Sequence, residues 1–199
     1  MNERKPENRI ENYPYWEIGE RLPPLPDGRI ERLYTHWSAH DYESVFPAYH
    51  FCVAATPDGR ILVVNTHDVR ENMRDIGQYP DRPYAAHTRS RNSFALGLSA
   101  MAMQGATPHD FGEYALTQAL VDGLCLVAAQ LATVYGVPID AEHVMSHAEA
   151  ALRDGYFGTA DEQRWDIARL VAEPRPLIAQ DAIETGECLR ERMRSFQIP

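Results

Sequence analysis

The chain has 199 residues, 44% of them hydrophobic, and a formal net charge of −10 at neutral pH. This length suits one domain with its own core, and the negative charge argues against binding to nucleic acid or to anionic lipid. The three cysteines form no CxxC motif. The first residues show no apolar run typical of a secretory signal, and we expect no membrane span, because no apolar run approaches the necessary length.

The first 28 residues are polar and rich in proline, and Asp27-Gly28 closes them as a turn. We predict an extended N-terminal arm over residues 1–28 that lies on the domain surface. Tyr13, Tyr15 and Trp16 are the side chains expected to pin it there. A disordered tail is the alternative.

The following segment has the composition of a β-sheet. Apolar, aromatic and β-branched runs predict strands at 30–37, 49–56, 60–65 and 93–103. Pro57-Asp58-Gly59 is a strong turn signal, so the second and third of these strands should form an antiparallel hairpin. A short helical turn is predicted at 41–46. Residues 66–92 form a long polar connection of a kind that is often functional.

Two helices are predicted in the second half. Leucine and valine recur at spacings of three and four over residues 113–135, and Gly136 and Pro138 then end the pattern. A second helix is expected at about 178–196. Together these elements predict an α/β fold with a mixed central sheet flanked by helices. Residues 29–175 would form the main domain, and 176–199 a C-terminal helix packed on it.

The stretch from Glu142 to Leu170 carries the most suggestive chemistry. A short apolar strand runs into His147, and a loop rich in glycine and aspartate then leads to Arg164-Trp165-Asp166. If the loop folds back, an imidazole and a carboxylate meet. Both are good zinc ligands, and a catalytic zinc site takes three protein ligands and keeps one position open. His36, at the end of the first predicted strand, is the candidate for the third ligand.

Side chains able to carry chemistry occur in a fixed order: His36, Tyr49-His50, His87, Asn92-Ser93, His147, Arg164 and Asp166. This order, over roughly residues 30–170, resembles the zinc-dependent N-acetylmuramoyl-L-alanine amidases of the amidase-2 and peptidoglycan-recognition-protein family. That family includes phage lysozyme-amidases and bacterial anhydro-muramyl-peptide amidases. The resemblance implies one zinc ion per chain and assigns a role to each residue: metal ligands His36, His147 and Asp166, catalytic residues Tyr49 and Arg164, and substrate contacts His87 and Asn92.

Two departures from the family pattern stand out. Ser99 lies where some members carry a catalytic glutamate, so the reaction would depend on Tyr49, as in the phage-type members. The separation of His147 from Asp166 is also longer than in many members. Asp154 and Asp161 lie in the same loop and compete with Asp166 for the role of third ligand.

The implied function is hydrolysis of the amide bond between N-acetylmuramic acid and L-alanine in peptidoglycan, as by an endolysin. The alternatives are a cytosolic amidase that recycles muropeptides, a secreted effector, a zinc hydrolase of another amide, and a non-catalytic peptidoglycan-binding module. The expected partner is peptidoglycan or a muropeptide, with no nucleic acid and no membrane insertion, bound by a monomer. We expect synthesis in the cytosol, followed by release through a lesion or dedicated export, or by action in the cytoplasm.

Overall fold

The computed structural model of the chain describes residues 8–19, 23–158 and 164–197. Its elements in chain order are β1 (Tyr15–Glu17), β2 (Arg32–Trp37), β3 (Phe51–Ala55), β4 (Ile61–Asn65), β5 (Ala95–Ala100), α1 (Gln118–Tyr135), β6 (Val144–Ser146), α2 (His147–Arg153) and α3 (Ala179–Phe196). Short 3-10 helices cover Ile10–Asn12, Val69–Asn72 and Ile76–Gln78. The α/β class predicted from the sequence is confirmed.

The six strands form one mixed sheet in the order β1-β4-β3-β5-β2-β6. β3 and β4 form the predicted antiparallel hairpin, while β2 lies parallel to both β5 and β6. β1 comes from the segment predicted as an arm and pairs antiparallel with β4 at the sheet edge. This strand was not predicted, because three residues are too few for an alternating pattern to stand out.

The main core lies between one face of the sheet and α1. Strand side chains alternate between the two faces, so Leu33 and Trp37 of β2 and Leu96 and Leu98 of β5 point towards α1. α1 begins five residues later than the predicted 113–135 range, because the hydroxyl of Thr117 caps it. It ends as predicted, at Gly136, whose φ of 65° is the left-handed conformation that glycine adopts without strain.

α1 is long and apolar enough to cross a bilayer by length and composition alone, contrary to the expectation from the sequence. Ten of its 18 residues are buried within the domain, including Leu120, Leu124 and Leu131. A core helix meets the same criterion, and this burial accounts for the apolar composition of α1.

The opposite face of the sheet is covered by irregular segments and by α2. The sequence prediction placed a loop directly after His147, but α2 begins at that residue. Ser146 caps α2 and Glu149 completes a capping box, a pattern that marks a helix start. Residues 41–46, predicted as a helical turn, contain bends and an isolated bridge instead. α3 matches the predicted C-terminal helix and lies against α1, α2 and β6.

Candidate metal centre

His36 lies on β2, the second strand from one edge of the sheet. It is the fifth residue of β2, which pairs with β5 on one side and β6 on the other, and its side chain points away from α1. The side chain is fully buried. Burial lowers the pKa of His36 to about 4, although the neighbouring Asp166 carboxylate acts in the opposite direction. The imidazole is therefore neutral at physiological pH, as a metal ligand must be.

His147 reaches the same point from the neighbouring strand. β6 runs parallel to β2, and its last residue, Ser146, lies beside Thr35. The next residue of the chain, His147, is therefore level with His36. The capping box between Ser146 and Glu149 fixes the start of α2, where His147 is the first residue. His147 is 6% exposed, and its Nε2 atom has no hydrogen-bond partner within the described part of the chain.

Asp166 arrives on a loop held by two kinds of contact. Its carbonyl oxygen accepts a hydrogen bond of 3.2 Å from the N–H of Ala148 in α2. The neighbouring Trp165 packs edge-on against Trp37, with ring centroids 4.6 Å apart. Ile167 follows with a φ of 57°, a rare conformation for a β-branched residue that costs about 1–3 kcal/mol. The packing of this loop holds the carboxylate in place despite that cost.

The three side chains converge on one small triangle. The Nδ1 atoms of His36 and His147 are 3.1 Å apart, and each lies 3.0 Å from Oδ2 of Asp166. These three residues form a buried group that could hold a metal ion. The edge of a tetrahedron around zinc, with ligand distances of about 2.0–2.1 Å, is about 3.3 Å long. The triangle is thus within about 0.3 Å of the spacing of three tetrahedral zinc ligands.

Hydrogen bonds alone do not pair the three atoms of this triangle well. If both histidines donated from Nδ1 to Asp166, two N–H groups would face each other at 3.1 Å. Burial by itself would raise the pKa of Asp166, but the charge and hydrogen bond of His147 hold it below the ordinary value. The site therefore offers one carboxylate and two imidazoles, a donor set that fits a divalent cation.

Tyr49 and Arg164 both border the candidate metal centre. The Tyr49 ring lies 4.8 Å from the His36 ring between centroids, and its hydroxyl donates a 3.3 Å hydrogen bond to the carbonyl of Trp37. Burial raises the pKa of Tyr49, and the charge of Asp166 adds to the effect. Arg164 is exposed in the same cleft, and its positive charge contributes to lowering the pKa of His36. Their catalytic roles stay predictions.

His87 and Asn92 line the cleft, but both side chains form hydrogen bonds within the protein. The Asn92 side-chain oxygen accepts from the backbone N–H groups of His87 and Thr88, at 3.1 and 3.0 Å. His87 is 5% exposed and contacts Thr88, whose hydroxyl lies 3.2 Å from Nε2 of His36. Direct contact of His87 and Asn92 with a substrate stays a prediction. Thr88 was missed, because a lone threonine in a polar loop has no sequence signature.

The competing acidic residues are differently placed. Asp154 forms a two-bond ion pair with Arg91, at 2.6 Å for both hydrogen bonds, and this pairing lowers the pKa of Asp154. Asp161 lies outside the described residues. Glu149 is used by the α2 cap and by Arg190. Among the described residues, Asp166 is the carboxylate that joins the two histidines.

The candidate metal centre opens into a cleft of about 860 Å³, which Tyr49, Tyr84, Arg164 and Trp165 help to line. A larger cavity of about 1160 Å³ lies elsewhere, near the amino-terminal ends of β2 and β6, and contains five arginines. It shares Arg89 and Ser90 with the cleft but includes none of the three candidate ligands. The chemistry of the triangle therefore belongs to the smaller cleft.

No protein-family model matches this chain, and no curated protein shows significant sequence similarity to it. Any assignment of function therefore depends on the residues and the geometry of this chain.

Proposed function

We propose that the protein is a zinc-dependent amide hydrolase whose metal ligands are His36, His147 and Asp166. The observation that carries the proposal is the buried triangle of two imidazole nitrogens and one carboxylate oxygen, 3.0–3.1 Å apart. Two nitrogen donors favour zinc over magnesium or calcium, which prefer oxygen ligands. Three protein ligands beside an open cleft are typical of a catalytic zinc site rather than of a closed structural one.

A zinc ion in such a site lowers the pKa of water to about 7 and polarises a carbonyl group. Arg164 would bind the oxygen of the scissile carbonyl, because its guanidinium is permanently charged and exposed in the cleft. Tyr49 keeps its proton at neutral pH, since burial raises its pKa. It would therefore act as a hydrogen-bond donor that turns from the carbonyl of Trp37 to the reacting groups, and not as the base.

The proposed substrate is the amide bond between N-acetylmuramic acid and L-alanine in peptidoglycan or muropeptides. Two observations support it. The chemistry-bearing residues follow the order typical of the amidase-2 family, and the cleft volume of about 860 Å³ falls in the range of about 300–1,000 Å³ that holds small-molecule ligands. Action as an endolysin and action in muropeptide recycling both fit this chemistry.

The test is digestion of purified sacculi, followed by mass spectrometry of the products. We expect new amino termini at L-alanine and no new reducing sugar ends. His147→Ala is the matched control and should release neither. New reducing ends from the wild type would instead indicate glycan cleavage, which depends on a pair of carboxylates.

A non-catalytic peptidoglycan-binding module is the second candidate. The observation that favours it is Ser99, which replaces a glutamate used for catalysis by some members of the resembled family. Ser99 is fully buried on β5, so this strand contributes no carboxylate there. Sedimentation of the protein with sacculi, without release of any product in the presence of zinc, would support the binding module and contradict the hydrolase.

A further inference from the structure

A series of hydrogen bonds through the side chains of Thr88 and His87 connects His36 to a backbone carbonyl of the neighbouring strand β5. Nε2 of His36 lies 3.2 Å from Oγ1 of Thr88, and this oxygen lies 2.9 Å from Nδ1 of His87. Nε2 of His87 lies 3.4 Å from the carbonyl oxygen of Ala95 in β5. His36, Thr88 and His87 are all buried, so water does not compete for these hydrogen bonds.

The carbonyl at one end determines where each proton lies. A carbonyl oxygen only accepts, so Nε2 of His87 must carry a proton and Nδ1 of the neutral ring must accept. The Thr88 hydroxyl then donates to Nδ1 of His87 and accepts from Nε2 of His36. His36 consequently has its proton on Nε2 and a lone pair on Nδ1. The reverse direction would place the lone pair of His87 Nε2 against the lone pairs of Ala95.

The surrounding residues hold these hydrogen-bonded side chains in place. The Asn92 side chain binds the backbone N–H groups of His87 and Thr88, which fixes the loop. The His87 ring lies directly on Gly97 of β5, where an added Cβ would come 2.3 Å from the His87 Cγ atom. Only glycine leaves room for the ring at this position.

We propose that Thr88 is a positioning residue that fixes the Nε2–H tautomer of His36 and so directs the Nδ1 lone pair at the point between His147 and Asp166. Its consequence for metal binding rests on the proposed function, whereas the tautomer is a property of the metal-free protein. A hydrogen bond to the second nitrogen of a ligating histidine orients the ring and strengthens it as a donor.

The first measurement is the tautomer of His36 in the metal-free protein, from two-bond nitrogen–proton NMR correlations. We expect the Nε2–H form in the wild type and in Thr88→Ser, which keeps the hydroxyl. Thr88→Val keeps the volume but loses the hydroxyl, and we expect Nδ1–H to appear because Asp166 is then the better acceptor. A wild-type ring protonated on Nδ1, or an unchanged tautomer in Thr88→Val, would overturn the proposal.

The second measurement is zinc affinity by chelator competition. Thr88→Val should bind about 10- to 100-fold more weakly, the usual size of such an effect, and Thr88→Ser should bind as the wild type does. Thr35→Val is the matched control. Thr35 lies on β2 and is fully buried, as Thr88 is in its loop, but the Thr35 hydroxyl has no partner within the described part of the chain. It should keep wild-type affinity.

The two measurements separate the possible failures. Equal zinc affinity in Thr88→Val and the wild type would contradict a positioning role. An equal loss in Thr88→Val and Thr35→Val would also contradict it, because any buried threonine would then have the same effect. If the wild type bound no zinc, the proposed function would fail, and the NMR measurement would still decide whether Thr88 sets the tautomer.

Discussion

His36 and Asp166 reach the same point by different physical means. His36 lies on a strand bonded on both sides, and the register with β5 and β6 fixes its position. Asp166 lies on a loop whose place depends on a few hydrogen bonds, on packing of Trp165 against Trp37, and on burial of Ile167, whose backbone is strained. The centre therefore has a sheet side, formed by β2 and its neighbours, and a loop side, formed by residues 164–168.

The difference indicates which half of the centre is preorganised. On the sheet side, the hydrogen bonds that position His36 also hold the fold together. On the loop side, side-chain packing and a few hydrogen bonds offset the cost of an unfavourable backbone conformation. We expect substitutions near His36 to affect both stability and metal binding, and substitutions near Asp166 to affect metal binding more selectively.

Removal of a ligand should have the largest effect. His36→Ala and Asp166→Ala should each reduce the zinc content from about one ion per chain to nearly none, since two protein ligands do not retain the ion. Elemental analysis after purification without chelator measures this. Asp154→Ala is the control and should keep its zinc, because Asp154 pairs with Arg91. Loss of zinc in Asp154→Ala would show that Asp154 is needed for metal binding and would contradict the choice of Asp166 as the third ligand.

A second substitution tests the scaffold that carries His147. Arg190 is 3% exposed and donates to the carbonyl of Val144 and to both oxygens of Glu149. Arg190→Met would leave Glu149 buried without its cation, which should lower the free energy of unfolding by about 3–5 kcal/mol. Urea titration measures the change. Glu187→Gln removes an exposed partner of the same arginine and should cost about 1 kcal/mol or less. Equal effects in the two variants would contradict this assignment.

Tyr49→Phe separates catalysis from metal binding on the sheet side. The ring keeps its packing beside His36 and loses only the hydroxyl. We expect kcat to fall by about 10²- to 10³-fold, the usual loss for one hydrogen-bond donor to the transition state, with little change in KM. Steady-state kinetics on a muropeptide, with zinc content as the control, measures both. Normal turnover would mean that the hydroxyl has no part in the reaction.

The pH dependence of stability should be a property of the sheet side. Burial lowers the pKa of His36 to about 4 and that of His50 to about 3, below the ordinary value of 6.5. Between pH 6.5 and 4 the unfolded chain binds protons that the folded chain does not. The free energy of unfolding of the metal-free protein should therefore decrease as the pH falls, by up to about 1.4 kcal/mol per pH unit for each histidine. Urea midpoints at pH 7 and pH 5 measure this, and equal midpoints would show that the histidines are not buried in the neutral form.

The same contrast explains what the sequence could predict. Strand β2 and the β3–β4 hairpin have clear composition and turn signals, so the position of His36 followed from the strand limits, whereas Tyr49, predicted to open the second strand, lies two residues before β3. β1 and α2 were missed because three and seven residues carry little periodicity. The cap at Ser146 was nevertheless visible as serine followed three residues later by Glu149.

The loop side could not be derived from residue patterns alone. Asp154, Asp161 and Asp166 are equally good ligands as amino acids, and spacing along a loop does not determine which one folds back. The choice depends on the pairing of Asp154 with Arg91 and on the packing of Trp165, both of which are tertiary contacts. Thr88 was missed for the same reason, since its importance comes from a neighbour 52 residues away.

The central claim is that one zinc ion binds between the sheet side and the loop side. The most direct test is a crystal grown with zinc, with anomalous diffraction recorded at the zinc absorption edge. We expect one strong peak at about 2.0–2.2 Å from Nδ1 of His36, Nδ1 of His147 and Oδ2 of Asp166. A map without a peak at this position, from protein supplied with excess zinc, would contradict the claim.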